Sequence, residues 1–140
     1  WALRAHYRSY TGLIKETQAV IDGDPTNPIQ RPGVRAAGIR ATVLAPTAVF
    51  QTLTGSIAVL EDFDPALVAV NVESAIQDYI NTLDIGFDVI VAEIVERSMG
   101  VTGMFNFAII DLSGSGAGGV DQIILENQVA RITSAAISLS

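Results

Sequence analysis

Four groups of residues have types and spacings that bear on chemistry. His6 is the only histidine and cysteine is absent, so any nucleophile activated by an imidazole would have to use it. It sits between Arg4 and Arg8 with no partner set to orient it, and reads as an ordinary surface or interface histidine. Glu61, Asp62 and Asp64 offer hard oxygen ligands. They also sit just before a helical pattern, where carboxylates are stabilised by the backbone dipole and the unpaired N–H groups, so they read as a cap and a solvated turn. Asp22, Asp24 and Asn27 resemble part of a calcium loop, but Pro25 intrudes and no glycine falls in register. Gly114, Gly116 and Gly119 match G-x-G-x-x-G after a strand-like run. A dinucleotide site needs a helix next, to hold the pyrophosphate at its N-terminus, and the following VDQIIL reads as strand. No Walker sequence is found. The expectation is therefore no catalytic, cofactor-binding or metal-binding residue, no cofactor, and no enzymatic activity.

The elements around these residues form a definite order. Thr11 is placed to cap a helix carrying Leu13, Ile14, Thr17, Val20 and Ile21, with Gly23 just past its end. DGDPTNPIQRP, with three prolines and a glycine, reads as a linker. Gly38 to Leu44 alternates, and Pro46 breaks or bends it. Val49 to Leu60 reads as one longer strand with Leu53, Gly55, Ile57 and Val59 facing the core; Gly55 in its middle marks a bulge or a close contact. Asp64 and Pro65 open the clearest helix, as N-cap and first helical residue. Its stripe is Val68, Val72, Ala75, Ile76, Tyr79, Ile80 and Leu83, and Gly86 is expected to close it in the left-handed conformation. A shorter helix follows from about Val89 to Met99, capped by Asp88. Met104 to Leu112 is apolar on both faces, which predicts a central strand. Ser113 to Gly119 reads as a flexible loop, and Val120–Leu125 and Ile132–Leu139 as two last strands around a turn at 126–128.

The fold class expected from this order is α+β: a small, mostly antiparallel sheet with two helices on one face, plus an N-terminal helix and arm. The division is 1–36 for the helix, arm and linker, and 37–140 for the α+β domain. Hydrophobic residues make up 49% of the chain and charged ones only 16%. That is ample for a core and leaves a surplus for a permanent partner surface or a dense alanine- and valine-rich interior. With no cysteine, disulfides and thiolate zinc sites are excluded. The twenty uncharged residues from Ala41 to Leu60 have the length of a membrane span. Pro46, Gly55, Gln51 and four threonines make two strands the better reading, so no membrane insertion is expected. The chain begins at Trp1 without a signal-peptide pattern and reads as a fragment or a processed piece.

The net charge of −7 is uneven. Residues 1–40 hold six basic against three acidic side chains, a net +3, whereas 41–140 hold Arg97 and Arg131 against twelve acids, a net −10. An acidic body lacks the cationic surface that phosphates require, which argues against nucleic acid. A basic segment beside an acidic body is suited to docking on such a body, its own or a neighbour's.

One long stretch, Val43 to Ile109, carries a family resemblance. An alternating strand follows Pro46-Thr47, FDPALV opens a helix, DYINTLDIG closes it, a short helix ends in Gly100-Val101, and NQVARITSAAISLS ends the chain. In order and spacing these resemble the C-terminal part of the baseplate J-like family of contractile phage tails. There, a Y-(I/L)-N-x-L-x-I-G segment and a closing E-V-A-x-L-G-x-V-T-L-S strand recur. With the upstream RPGVRAAGIRATVLAPT, the resemblance covers about Arg31 to Ser140. The chain departs at Ile132-Thr133, where Leu-Gly is usual, and at Asn127-Gln128, where Asp-Glu is common.

The resemblance implies a structural subunit of a baseplate wedge, in a contractile phage tail or a related injection system. Its partners would be other wedge subunits and further copies of itself, with the tail hub or sheath nearby. It would form ring contacts and help transmit the trigger for sheath contraction. Its place would be the virion's tail baseplate, assembled in the cytoplasm of the producing bacterium. The rival from another class is a small-molecule-binding regulatory α+β module, which predicts a convergent polar pocket.

Overall fold

Extended stretches form strands only where another strand supplies the hydrogen bonds, and this decides much of the architecture. The computed structural model describes residues 12–24, 26–30, 32–34 and 39–140. The chain divides into two units, Trp1–Ala45 and Pro46–Ser140.

In the first unit, α1 spans Gly12–Asp22. Gly23 follows at φ +85° and returns its N–H to the Ala19 carbonyl at 2.9 Å, as expected of the residue just past a helix. The Thr11 cap and His6 lie outside the described residues. The buried face differs from the expected stripe: Gln18 and Ala19 are buried, while Leu13 and Val20 are exposed. The cause is the Gln18 carboxamide. Its Nε2 donates to the Ala41 carbonyl at 2.8 Å, and its Oε1 accepts from the Val43 N–H at 2.6 Å. The expected strand at 38–44 is accordingly absent from its described part, Ile39–Leu44: the backbone there pairs with no strand and is bonded to a side chain. The sequence boundary at 36/37 and the division between Ala45 and Pro46 enclose this Gln18-bound segment.

The second unit runs β1 (Thr47–Phe50), β2 (Leu53–Val59), α2 (Pro65–Asn81), α3 (Val91–Met99), β3 (Met104–Leu112), β4 (Gln128–Arg131), a 3₁₀ turn (Ser134–Ala136) and β5 (Ile137–Leu139). The fold class is the expected α+β. The longest ladder, β2 with β3, is antiparallel; β1 with β4 and β2 with β5 are parallel, so the sheet structure is mixed. The single strand expected from Val49 to Leu60 is two strands. At Gln51 and Thr52 the chain leaves one sheet for the other, and buried Gln51 accepts a 2.6 Å hydrogen bond from the Ser113 hydroxyl.

β3 is not central. The order β3-β2-β5 puts it at an edge, and β2 takes the middle. Two bulges explain its doubly apolar sequence. Ala58 pairs with Asn106 and Val59 with Met104, leaving Phe105 extra; Gly55 pairs with Ile109 and Thr54 with Asp111, leaving Ile110 extra. Each extra residue switches which alternation faces inward. Met104, Phe107, Ile109 and Leu112 are therefore buried, while Phe105 and Ile110 are exposed. Gly55 lies at one bulge, and a Cβ there would stand 2.9 Å from the Phe107 ring. The expected bulge and close contact are both present.

α2 starts as expected: the Asp64 carboxylate accepts from the Ala66 N–H at 3.0 Å, and Pro65 is the first helical residue. Val68, Val72, Ile76, Tyr79 and Ile80 form its buried stripe. They share one core with Leu53 of β2, Phe107, Ile109 and Leu112 of β3, Ile94 of α3 and Ala130 of β4. The helix ends earlier than expected. Thr82, in ordinary helical geometry, is the C-cap, and its hydroxyl bonds the Asp78 carbonyl at 2.6 Å. Gly86 does hold positive φ, +77°, but in the turn beyond, where its N–H donates to the Gln128 carbonyl at 2.8 Å. A Cβ there would stand 3.3 Å from the Glu126 backbone. Gly86→Val is expected to cost roughly 1–2 kcal/mol, the left-handed penalty for a residue with a side chain. A urea titration would read this directly, and an unchanged midpoint would show that the turn does not depend on this residue.

Asp88 does not cap α3. Its carboxylate accepts from the Ile124 N–H at 2.7 Å, and the Val91 N–H at the helix start goes to Asp121, also at 2.7 Å. The segment 120–125 is consequently not the expected strand. It makes one isolated antiparallel bridge, Val89 with Gln122, and is otherwise held by these carboxylates. The last expected strand, Ile132–Leu139, forms only at its end, as β5 after the 3₁₀ turn, and β4 begins at Gln128, in the expected turn, and ends at Arg131, before the expected start of that strand.

Candidate interaction surface

The residues singled out for chemistry are occupied in building turns. Asp24 accepts from the Thr26 N–H at 2.8 Å and from its hydroxyl at 2.6 Å. Asn27 donates to Gln30, and Asp22 accepts from Gln18. Glu61 and Asp62 are exposed in the turn that leads to Asp64. No cluster of three or more potential metal-ligating side chains is present among the described residues. In the glycine segment, Asp111 fills the loop: its two carboxylate oxygens accept from Gly114 and Gly116 at 2.8 and 2.7 Å. The N–H groups that a phosphate would require are thus taken by a carboxylate of like charge. Ser115 adds bonds to the Leu112 carbonyl and from the Val120 N–H. The loop expected to be flexible is closed by side chains on both sides.

The segment Asp78–Gly86 ties the unit together. The Tyr79 hydroxyl accepts from the Ile90 N–H at 3.0 Å, joining the end of α2 to the start of α3. Arg97 of α3 lies over the same ring at 5.0 Å and pairs with Glu93 at 3.7 Å. Asn81 clamps one residue from both sides: it donates to the Ile132 carbonyl at 3.0 Å and accepts from the Ile132 N–H at 2.9 Å. Arg131 reaches the Leu83 carbonyl, and Gly86 reaches Gln128. DYINTLDIG and NQVARIT, far apart in sequence, interlock through three contacts: Asn81 with Ile132, Leu83 with Arg131, and Gly86 with Gln128.

Around this hub the surface is apolar in a way the core does not explain. The segments 84–91 and 120–128 run side by side, joined at Val89–Gln122, Asp88–Ile124 and Gly86–Gln128. Val89 and Ile124 point inward and are buried. Phe87 (59% exposed), Ile123 (79%) and Leu125 (59%) remain open to solvent, with Ile85 beside them. Each neighbours an acid in sequence or across the pairing: Asp84, Asp88, Asp121 and Glu126. Apolar side chains gathered on one ribbon and rimmed by charge have the make-up of a protein-docking surface. The patch is hidden in the sequence because Ile123 and Leu125 read as part of a strand, where alternation would bury one face. The signal that could have found it is the pairing of a large apolar residue with an adjacent acid at Ile85, Phe87 and Leu125.

No protein-family model matches the chain, and no curated protein matches it. Among the described residues, no helix is long and apolar enough to cross a membrane.

Proposed function

We propose that this chain is a structural component of a baseplate wedge, in a contractile phage tail or a related injection system, and that it acts by contact rather than by catalysis. The observation that carries this reading is the interlock of its two most family-like segments: Asn81 of DYINTLDIG binds both backbone groups of Ile132 in NQVARIT. Asn81 and Gly86, which match the family's Y-(I/L)-N-x-L-x-I-G, fix their turn to the closing segment through backbone groups of Ile132 and Gln128, so the contacts do not depend on the side chains at which that segment departs from the family. Large apolar side chains left on the surface support a role in assembly. In this reading the partners are other wedge subunits and further copies of the chain, with hub or sheath nearby, without nucleic acid or membrane insertion. The site of action is the virion's tail baseplate, assembled in the cytoplasm of the producing bacterium. Contacts between subunits would hold the ring and carry the trigger for sheath contraction.

The test is purification of the tagged gene product from its native producer, followed by negative-stain microscopy and mass spectrometry. Tails or wedge complexes with stoichiometric partner subunits are expected. A lone monomer, from a producer making the protein abundantly, would overturn the reading.

A further inference from the structure

We propose that the acid-rimmed patch of Phe87, Ile123 and Leu125 is the docking site for residues 1–10 of a second copy of this chain. The argument is complementarity. The patch offers apolar side chains beside Asp84 and Glu126, carboxylates with no hydrogen bond or ion pair among the described residues. Asp88 and Asp121 add charge while holding backbone N–H groups. Arg131, a cation of the same hub, is turned to the Leu83 and Ala130 carbonyls. The sequence WALRAHYRSY has the inverse character: Trp1, Leu3, Tyr7 and Tyr10 interspersed with Arg4 and Arg8, and no acid at all. Aromatic residues and arginine are the side chains most enriched at the centres of protein interfaces. A basic aromatic segment on an acidic apolar patch gives an attractive contact, whereas two such patches facing each other would repel.

The consequence is a head-to-tail contact. Segment and patch are different surfaces, so each copy both gives and receives, and such contacts propagate until they close into a ring or continue as a filament. This rests on reading the patch as an assembly surface, and it names the occupant.

The experiment uses the 140-residue chain and two charge-reversed variants. One is Asp84→Lys with Glu126→Lys; the other is Arg4→Glu with Arg8→Glu. Sedimentation velocity over a concentration series should show self-association of the parent chain, weakened about tenfold or more as salt rises and screens the rim charges. Each variant alone should associate about tenfold or more weakly, and their equimolar mixture should regain association. Trp1 is the only tryptophan, so its emission should shift to the blue as association proceeds. Should a reversed variant fail to fold by circular dichroism, Asp84→Asn with Glu126→Gln tests the same charges with a smaller expected loss.

A parent chain monomeric at every concentration overturns the proposal. So does a mixture that stays dissociated, association that both variants keep, or emission that does not respond. Cross-linking of the natively purified assembly separates this inference from the functional reading. If the patch is covered there by a different subunit, the docking proposal fails and the scaffold reading stands. If no assembly is found but the mixture associates, the scaffold reading fails and the docking stands.

Discussion

Ile76→Asp is expected to abolish folding of the second unit. Ile76 is fully buried in α2 and packs in the same core as Leu53, Phe107 and Ile94. The substitution removes the burial of one large aliphatic side chain, about 2–3 kcal/mol. It also puts a carboxylate where no hydrogen-bond donor has been provided, at a further cost of several kcal/mol. The sum is comparable with the whole stability of a typical domain, about 5–15 kcal/mol. Ile76→Val, which keeps the shape and loses one methylene, should cost only about 0.5–1.5 kcal/mol. The pair therefore separates burial of charge from loss of volume. The pH dependence adds a sign. Burial raises the carboxyl's folded-state pKa above its unfolded value of about 3.9, so the protonated form is favoured in the fold. The excess cost over Ile76→Val is then smallest below about pH 4 and grows as pH rises through the folded-state pKa. Near-ultraviolet circular dichroism and denaturant titration would read both. A soluble, cooperatively folded Ile76→Asp protein at neutral pH would mean that this helix face is not the core.

That face was legible because a helix registers its burial as a period of three to four, and five residues from Val68 to Ile80 keep it without interruption. The start of α2 was legible for an equally local reason: an aspartate followed by proline leaves the chain few alternatives at a helix N-terminus. Gly55 could be read because a missing side chain in mid-strand signals a close neighbour, here the Phe107 ring.

Apart from the end of α2, which Thr82 caps locally, most of the failures come from competition between distant partners for backbone groups. Nothing local in 38–44 distinguishes a strand from a segment held by Gln18, twenty or more residues earlier. Alternation across Met104–Leu112 can be read only if the register is continuous, and two bulges interrupt it. Asp88 is well placed in sequence to cap the following helix, yet the Asp121 carboxylate holds the Val91 N–H at its start, and Asp88 serves Ile124. The candidate surface was hidden for the same reason. Ile123 and Leu125 lie in a segment tied by one isolated bridge, Val89–Gln122, and by the Asp88 carboxylate and Gln128 carboxamide, not by a continuous ladder.

The second large effect concerns Asn81, the residue at which the two family-like segments meet. Asn81→Leu is expected to destabilise the second unit by about 2–4 kcal/mol. Ile132 is buried, and Asn81 satisfies both its N–H and its carbonyl. Each backbone group left without a partner in a buried setting costs about 1–3 kcal/mol. Leucine restores the volume of the side chain but supplies neither the donor nor the acceptor, so lost packing would not account for the change. Asn81→Asp makes the argument directional. It keeps an acceptor for the Ile132 N–H and replaces the donor with an oxygen that repels the Ile132 carbonyl, so its cost should exceed that of one lost bond. Hydrogen exchange gives the local readout. In Asn81→Leu the Ile132 amide should lose protection by more than the global destabilisation explains, whereas in Asn81→Asp it should follow the global change. If both variants keep the parent's urea midpoint, the contact between 78–86 and 127–133 is not what holds the fold. The motif would then require an explanation outside the architecture of the single chain.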